Sequence, residues 1–207
     1  ALTDHGNLFG AVEFYRTARR EHVKPILGME AYVAPGDRRE RGGRGGGYSH
    51  LVLLAENQTG WRNLLKLSSI GYLEGFYYKP RIDKELLAEH SEGLIGMSAC
   101  LNGEVNANLL SGRFEEAEKA AGEYKDLFGQ DRFFLEMHDH GLEKQRKIVP
   151  DILKLSQRTG LKAVASNDCH YMSQGDCRRG FADAPFLIGD GNNSGHSNDP
   201  LSFTCAK

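Results

Sequence analysis

A chain of 207 residues is long enough to bury a hydrophobic core as one domain without disulfide bonds. With 40% hydrophobic and 26% charged residues it is not an intrinsically disordered protein, and a formal net charge of −2 excludes a globally basic surface, so any nucleic-acid contact must be local. Its four cysteines have no Cys-x-x-Cys spacing, and no apolar run reaches the roughly 20 residues of a membrane span. We therefore predict a cytoplasmic protein with reduced thiols and no membrane partner.

The predicted elements begin with "ALTDH", which is typical of the end of a strand and lacks an initiator methionine, so we interpret the chain as a fragment. Apolar spacing over residues 8–22 predicts a helix, with Asn7 as its N-cap. Residues 24–34 and 48–56 predict two strands. The glycine- and arginine-rich residues 37–47 between them predict a loop.

Helical spacing returns over residues 60–73 and 83–90, and residues 93–99 predict a buried strand. A helix at 113–128, a strand at 132–138, a helix at 142–160 and a strand at 161–168 follow, and we expect Pro150 to kink or restart the last helix. This alternation predicts an α/β fold with mostly parallel strands and right-handed crossovers. Chemistry in such folds gathers where the carboxyl ends of the strands meet their loops.

Metal-binding residue types stand at or near these predicted strand ends. They are Asp4, His5, Glu30, Cys100, His138, Asp139, His140, Asp168 and His170. The mixture of imidazole, carboxylate and thiolate favours Zn²⁺, Mn²⁺ or Fe²⁺ over Ca²⁺ or Mg²⁺ alone. Asp168 and His170 are two residues apart, so an extended backbone directs both side chains to one face, where they can share an ion.

Each candidate has an ordinary interpretation beside the functional one. A single histidine at a strand end is more often a hydrogen-bonded surface residue than a ligand, and Cys100 alone would be a small core residue. Asp4 and His5 are adjacent, so we expect only His5 to be a ligand, with Asp4 ordering the turn or orienting a ligand. Glu30 lies within an apolar strand, where an unpaired carboxylate is costly, which favours a nearby cation or polar network.

The remaining histidines fit the rule less well. His50 begins its predicted strand and would lie at the wrong edge unless that strand runs antiparallel. His138 and His140 are two residues apart and could both be ligands, although a structural or phosphate-contacting role fits equally well. We expect three further histidines to be solvated: His22, His90 and His196.

Several sequence blocks follow one another along the chain, among them "ALTDHGNLFGAVEFY", "KPILGMEAYVAPG", "GLIGMSACLNGEV", "FFLEMHDHG" and "VASNDCHYM". Together and in this order they resemble the PHP (polymerase and histidinol phosphatase) domain of bacterial DNA polymerase III alpha subunits. The resemblance covers residues 1–176, which we assign to a partial PHP domain. Residues 177–207 form a divergent tail that a frameshift would explain.

The resemblance implies a distorted, TIM-like (β/α)7 barrel that holds up to three divalent metal ions. The barrel would be incomplete here, because the first strand and a His-x-His motif would lie upstream of Ala1. The implied metal ligands are His5, Glu30, His50, Cys100, Asp168 and His170, with Asp168 and His170 also at the catalytic centre. His50 is thus retained where the strand-end rule would have dropped it.

The resemblance also implies a function. The chain would be a fragment of a replicative DNA-directed DNA polymerase, inactive alone, whose PHP domain hydrolyses phosphoesters and proofreads as a 3′–5′ exonuclease in the full-length protein. Expected partners are DNA, a separate exonuclease subunit and, through regions absent here, a sliding clamp. Lys79, Arg81 and His140 are candidate phosphate contacts, although surface roles fit the first two equally well. The four arginines of residues 37–47 fit a solvated loop better than a DNA contact.

Two alternatives stay open. The domain could be a catalytically silent structural module that docks a separate exonuclease, or a stand-alone phosphoesterase similar to histidinol phosphatase. Retention of the metal-binding residue types favours the nuclease over the first alternative, because a degenerate site would tolerate apolar or basic residues. The block "GYLEGFYYKPRIDKELL" argues against the second.

Overall fold

The computed structural model describes residues 1–42 and 46–170. It divides the chain into two units, Ala1–Ser166 and Asn167–Lys207. The predicted tail at 177–207 and His196 lie outside the described residues.

The first unit contains eight strands and six helices among its described residues. In chain order they are β1 (Leu2–His5), α1 (Ala11–Arg20), β2 (Leu27–Val33), β3 (Ser49–Ala55), α2 (Gln58–Leu73), β4 (Phe76–Tyr77), β5 (Lys79–Ile82), α3 (Lys84–His90), β6 (Leu94–Met97), α4 (Glu104–Leu110), α5 (Phe114–Phe128), β7 (Phe133–Met137), α6 (Glu143–Thr159) and β8 (Lys162–Ala165). The predicted α/β class is confirmed, and α4, β4 and β5 are elements that the sequence patterns missed.

The strands form one sheet in the order β4-β5-β2-β3-β6-β7-β8, with β1 beside β2. β3 runs antiparallel to both of its neighbours, β2 and β6, whereas β1–β2, β2–β5, β6–β7 and β7–β8 are parallel pairs. The predicted barrel is not confirmed, because the described strands leave the sheet open: β4 and β8 end it with one partner each. β1 and β5 pair with successive parts of β2, so neither of them reaches β8.

A continuous hydrophobic core lies between the sheet and the helices. Leu53 of β3, Leu64 of α2 and Leu135 of β7 are fully buried. Removing each such side chain from water contributes about 1.5–3 kcal/mol. The contact between β2 and β3 is especially close at Gly28, where a Cβ atom would lie 2.4 Å from the Leu53 carbonyl oxygen.

Two details of the predicted helices differ from the structure: the N-cap of the first helix and a restart of the last helix at Pro150. α1 begins at Ala11 with Gly10 as its N-cap, whereas Asn7 stabilises the preceding turn by accepting the Phe9 N–H at 2.9 Å. α6 continues through Pro150 without restarting. Although proline cannot donate the helical hydrogen bond, the buried face that contains Ile148 and Ile152 keeps the helix packed across this position.

Most of the described residues of the arginine-rich loop are exposed, as predicted, but one of its arginines, Arg38, forms a buried ion pair with the domain. The Arg38 guanidinium lies 3.0 Å from Asp83 and 2.7 Å from Glu74, and only 7% of Arg38 is exposed. Asp83 also accepts the backbone N–H groups of Arg38 and Leu86, the second as the N-cap of α3. Burial opposes the charge of Asp83, but these hydrogen bonds and the guanidinium hold the pKa of its carboxyl below the usual value.

Candidate metal centre

The first two candidate ligands meet because β1 and β2 are parallel neighbours. His5 and Glu30 are paired residues in this register, and His5 Nε2 lies 3.2 Å from Glu30 Oε2. The chain turns away immediately after His5 at Gly6, whose φ is +66° and whose N–H donates to the Glu30 carbonyl at 2.9 Å. A Cβ atom on Gly6 would lie 2.8 Å from Pro80 Cγ, so this turn requires glycine.

The reversed direction of β3 brings His50 to the same place. Because β3 is antiparallel, its beginning lies beside the end of β2, with His50 opposite Tyr32. His50 Nδ1 is 2.6 Å from Glu30 Oε1. One donor atom from each of His5, Glu30 and His50 lies within 4.8 Å of the other two.

Cys100 adds a sulfur atom to this cluster from the loop after β6. Its Sγ lies 3.5 Å from His50 Nδ1 and 3.9 Å from Glu30 Oε1. The loop is held by Glu136, whose Oε2 accepts the Ala99 N–H at 2.7 Å, and by Asn106, whose amide donates to the Ala99 carbonyl at 2.9 Å. Ala99 itself has a φ of +60°, unusual for a residue with a side chain.

The donor set suits a divalent transition-metal ion. The Glu30 carboxylate is 6% exposed and lies between two imidazoles, so a cation would offset the cost of burying its charge. Two nitrogen donors, a carboxylate and a sulfur atom fit Zn²⁺, Mn²⁺ or Fe²⁺ better than Ca²⁺. The His5 side chain is 38% exposed, so the cluster is open to solvent on that side.

Tyrosine rings line the cluster. Tyr32 lies edge-on to His50, with ring centroids 5.3 Å apart, and Tyr48 stacks on His50 at 5.9 Å. Burial, with smaller contributions from Tyr48 and Glu30, raises the pKa of Tyr32 to about 12. Tyr32 is therefore a neutral phenol near pH 7.

Three predicted site residues remain: Asp4, Asp168 and His170. Asp4 Oδ2 accepts the Gly10 N–H at 2.9 Å and so contacts the turn before α1. Asp168 and His170 belong to the second unit, where His170 Nδ1 lies 3.0 Å from the Asp168 carbonyl oxygen. The ligand role of Asp168 and His170 stays a prediction from the resemblance.

The three candidate phosphate contacts also differ from one another. Lys79 is half-buried, with its Nζ 5.3 Å from the Tyr32 ring centroid and thus beside the cluster. Arg81 is fully buried, and its guanidinium donates to the carbonyl oxygens of Gly75, Arg38 and Glu40. The predicted phosphate contact of Arg81 is therefore wrong. His140 contacts Gln145, whose amide lies 3.0 Å from its Nδ1.

A buried polar network that contacts the Cys100 loop was not predicted from the sequence. Glu136 Oε1 accepts the Ser166 hydroxyl at 2.6 Å, and His138 Nε2 lies 3.0 Å from the same hydroxyl oxygen. Glu136 is an acid within an apolar strand, "FFLEM", which is the same signal that identified Glu30. The network holds the backbone that carries Cys100.

The chain belongs to the PHP domain family, because the model of that domain matches residues 1–140. The family resemblance inferred from the sequence blocks is confirmed. PHP domains are metal-dependent and of the phosphoesterase type, in agreement with the donor cluster.

Named relatives extend this likeness. The chain is 51% identical over 178 residues to the DNA polymerase III subunit alpha of Treponema pallidum. This match covers 85% of the chain and 15% of that protein. It is 51% identical over 181 residues to the DNA polymerase III subunit alpha of Thermus aquaticus, covering 86% and 15% respectively. The chain thus spans about 15% of the length of these relatives. None of the helices in the described part of the chain has the length and apolarity of a membrane span.

Proposed function

We propose that this chain is part of a cytoplasmic DNA polymerase III alpha subunit, and that its PHP domain hydrolyses phosphodiester bonds of DNA as a metal-dependent 3′–5′ exonuclease. The convergence of His5, Glu30, His50 and Cys100 carries the proposal. These residues come from β1, β2, β3 and the loop after β6, and chance would not be expected to bring four such donors together. The relatives named DNA polymerase III subunit alpha support DNA as the substrate and other replicase subunits as partners.

The chemistry follows from the residues that surround the cluster. His5, Glu30, His50 and Cys100 would hold the ion, and Asp168 and His170 remain proposed ligands and catalytic residues on the strength of the resemblance. A bound divalent cation supplies Lewis acidity toward a phosphodiester and activates water at neutral pH. Lys79, beside Tyr32 at the margin of the cluster, is placed to attract the negative phosphate.

Zn²⁺, Mn²⁺ and Fe²⁺ remain the candidate ions, with up to three per intact domain. A catalytically silent docking module would not need its metal-binding side chains to lie in contact with one another. The 2.6 Å contact between Glu30 and His50 and the nearby Cys100 favour the metal-dependent nuclease.

Metal titration tests this proposal directly. We expect Zn²⁺ or Mn²⁺ to bind the chain, and His50→Ala and Glu30→Gln to weaken binding at least tenfold, because each removes a donor. His90→Ala is the matched control, since His90 lies in the last turn of α3 and is not among the cluster residues. Unchanged metal affinity in both cluster variants would show that these donors form only a hydrogen-bonded network.

Nuclease activity is the second measurement. Release of nucleotides from the 3′ end of labelled DNA should require the metal in the full-length polymerase, and Asp168→Asn should lower metal content and nuclease activity together. An exonuclease that persists undiminished in both Asp168→Asn and His50→Ala would locate the activity elsewhere and support the docking alternative.

A further inference from the structure

We propose that three tyrosines form a stacking surface for the bases of a single-stranded DNA end: Tyr48 beside the metal centre, and Tyr77 and Tyr78 immediately before Lys79. We call them the tyrosine rim. This inference rests on the proposed function, because it specifies which form of DNA the centre receives. Lys79 is part of the same surface and would contact the backbone of the strand.

The rim begins directly at the metal centre. The ring of Tyr48 stacks on His50 with an interplanar angle of 10° and lies edge-on to Tyr32 at 4.9 Å. Tyr48 nevertheless leaves 43% of its surface exposed. A base stacked on the exposed part of Tyr48 would place its attached phosphate within reach of the donor cluster.

The most exposed member is Tyr78, between β4 and β5. Its surface is 81% exposed, its φ is +58°, and its ring lies 4.7 Å from that of Tyr77. Tyr77 pairs with Lys79 across this hairpin, so Tyr78 is its turn residue, and the tight turn accounts for the left-handed backbone. The turn leaves the aromatic ring exposed to solvent, where a base can stack on it.

Buried Arg81 supports the rim from below. Its guanidinium carbon lies 5.3 Å from the centroid of the Tyr77 ring, while its nitrogens donate to the carbonyls of Arg38 and Glu40. Gly46 packs against Tyr77, because a Cβ atom there would lie 3.1 Å from Tyr77 Cε1. Arg81 thus joins Tyr77 to the backbone carbonyls of Arg38, Glu40 and Gly47, the last of which directly precedes Tyr48.

Charge favours a nucleic acid over an apolar protein segment as the occupant. Lys79 follows Tyr78 in the chain, and its Nζ lies above the Tyr32 ring at the edge of the centre. Arg41 is exposed in the loop that Arg81 holds. Aromatic rings interleaved with cations are the usual means of binding single strands, because every base offers a stacking face regardless of sequence. Paired bases inside a duplex offer no such free face.

Binding of a fluorescent ten-nucleotide oligothymidylate, measured by anisotropy in the presence of a chelator, tests the rim without the metal. We expect Tyr78→Ala and Tyr48→Ala each to weaken binding about 5- to 150-fold, the range found when one stacked base loses its aromatic partner. Tyr78→Phe should bind like the original chain, because it keeps the ring and loses only the hydroxyl. A duplex of equal length should bind less tightly than the single strand.

Tyr15→Ala is the matched control. Tyr15 is 47% exposed but lies beside Ala55, five residues and roughly 17 Å along β3 from His50. The rim would be overturned if Tyr15→Ala weakened oligothymidylate binding as much as the rim variants do, or if both rim variants kept the original affinity. Tighter binding of the duplex, or no binding of the single strand by the original chain, would also overturn it. Thermal unfolding of every variant identifies those that fail to fold, for which Tyr48→Leu and Tyr78→Leu replace the alanine variants, because leucine keeps an apolar side chain but has no aromatic face for stacking. The metal titration is independent, so the rim can fail while the metal centre stands.

Discussion

The buried contact between Arg38 and Asp83 gives a sharp prediction about stability. Asp83→Ala would remove three interactions at once: the cap of α3, the acceptor for the Arg38 N–H and one of the carboxylates beside the guanidinium. Arg38 would remain buried with Glu74 as its other carboxylate partner. We therefore expect a large loss of stability from a single substitution.

The magnitude follows from comparable cases. Loss of an N-cap costs about 0.5–2 kcal/mol, and removing one partner of a buried ion pair costs about 3–5 kcal/mol. Because Glu74 still contacts Arg38, we expect about 3–4 kcal/mol in the free energy of unfolding. For a domain of this size, this corresponds to a decrease of about 10 °C in the melting temperature.

Urea unfolding followed by circular dichroism measures this loss. Asp83→Asn should be less harmful than Asp83→Ala, because asparagine still caps a helix well. Asp131→Ala is the control: Asp131 pairs with Lys162 on the surface, where its side chain is 82% exposed, so the unfolding midpoint should not change. An effect of Asp83→Ala no greater than that of Asp131→Ala would show that the contact between Arg38 and Asp83 does not stabilise the domain.

Three further outcomes are expected. Gly28→Ala should destabilise the domain by more than 2 kcal/mol in urea unfolding, because the new methyl group would meet the Leu53 carbonyl at 2.4 Å; a neutral result would mean that β2 and β3 can separate freely. Folding lowers the pKa of Asp83, so its contribution to stability is present above the unfolded pKa of about 3.9 and is lost as the pH falls through the lower folded pKa. The difference in free energy of unfolding between the original chain and Asp83→Asn should therefore shrink in that acidic range. A difference that stays constant with pH would argue against the ion pair. Zn²⁺ or Mn²⁺ at about 100 times its dissociation constant should stabilise the chain by about 2.7 kcal/mol in thermal unfolding, and a chelator should reverse the effect. The stabilisation should be smaller in His5→Ala. Equal stabilisation in that variant would exclude His5 as a ligand.

The sequence was most informative where local pattern determines structure. Glu30 stood out because an acid within an apolar strand needs a partner, and periodicity predicted the strands and helices apart from α4, β4 and β5. His50 was recovered only through family resemblance, because the direction of β3 depends on pairing with β2 and β6 and leaves no local signal. Arg81 was misassigned for a similar reason: its partners are carbonyls of the loop and of Gly75, brought close only by the fold.

Closure of the sheet was equally beyond local reasoning. Whether β1 and β8 meet depends on strand pairing over most of the chain, and the described strands remain open. The continuity of α6 through Pro150 shows the same limit, since the packing of Ile148 and Ile152 outweighs the local preference to break.

The reversal of β3 has a consequence for how this domain can diversify. Because β2 ends and β3 begins at the same edge of the sheet, the connection between these two strands begins and ends beside the donor cluster. Insertions or deletions in that connection would change the surface next to the donor cluster while leaving the donors on their strands undisturbed. Relatives could therefore acquire different substrate preferences by varying this one connection, without rebuilding the chemistry beneath it.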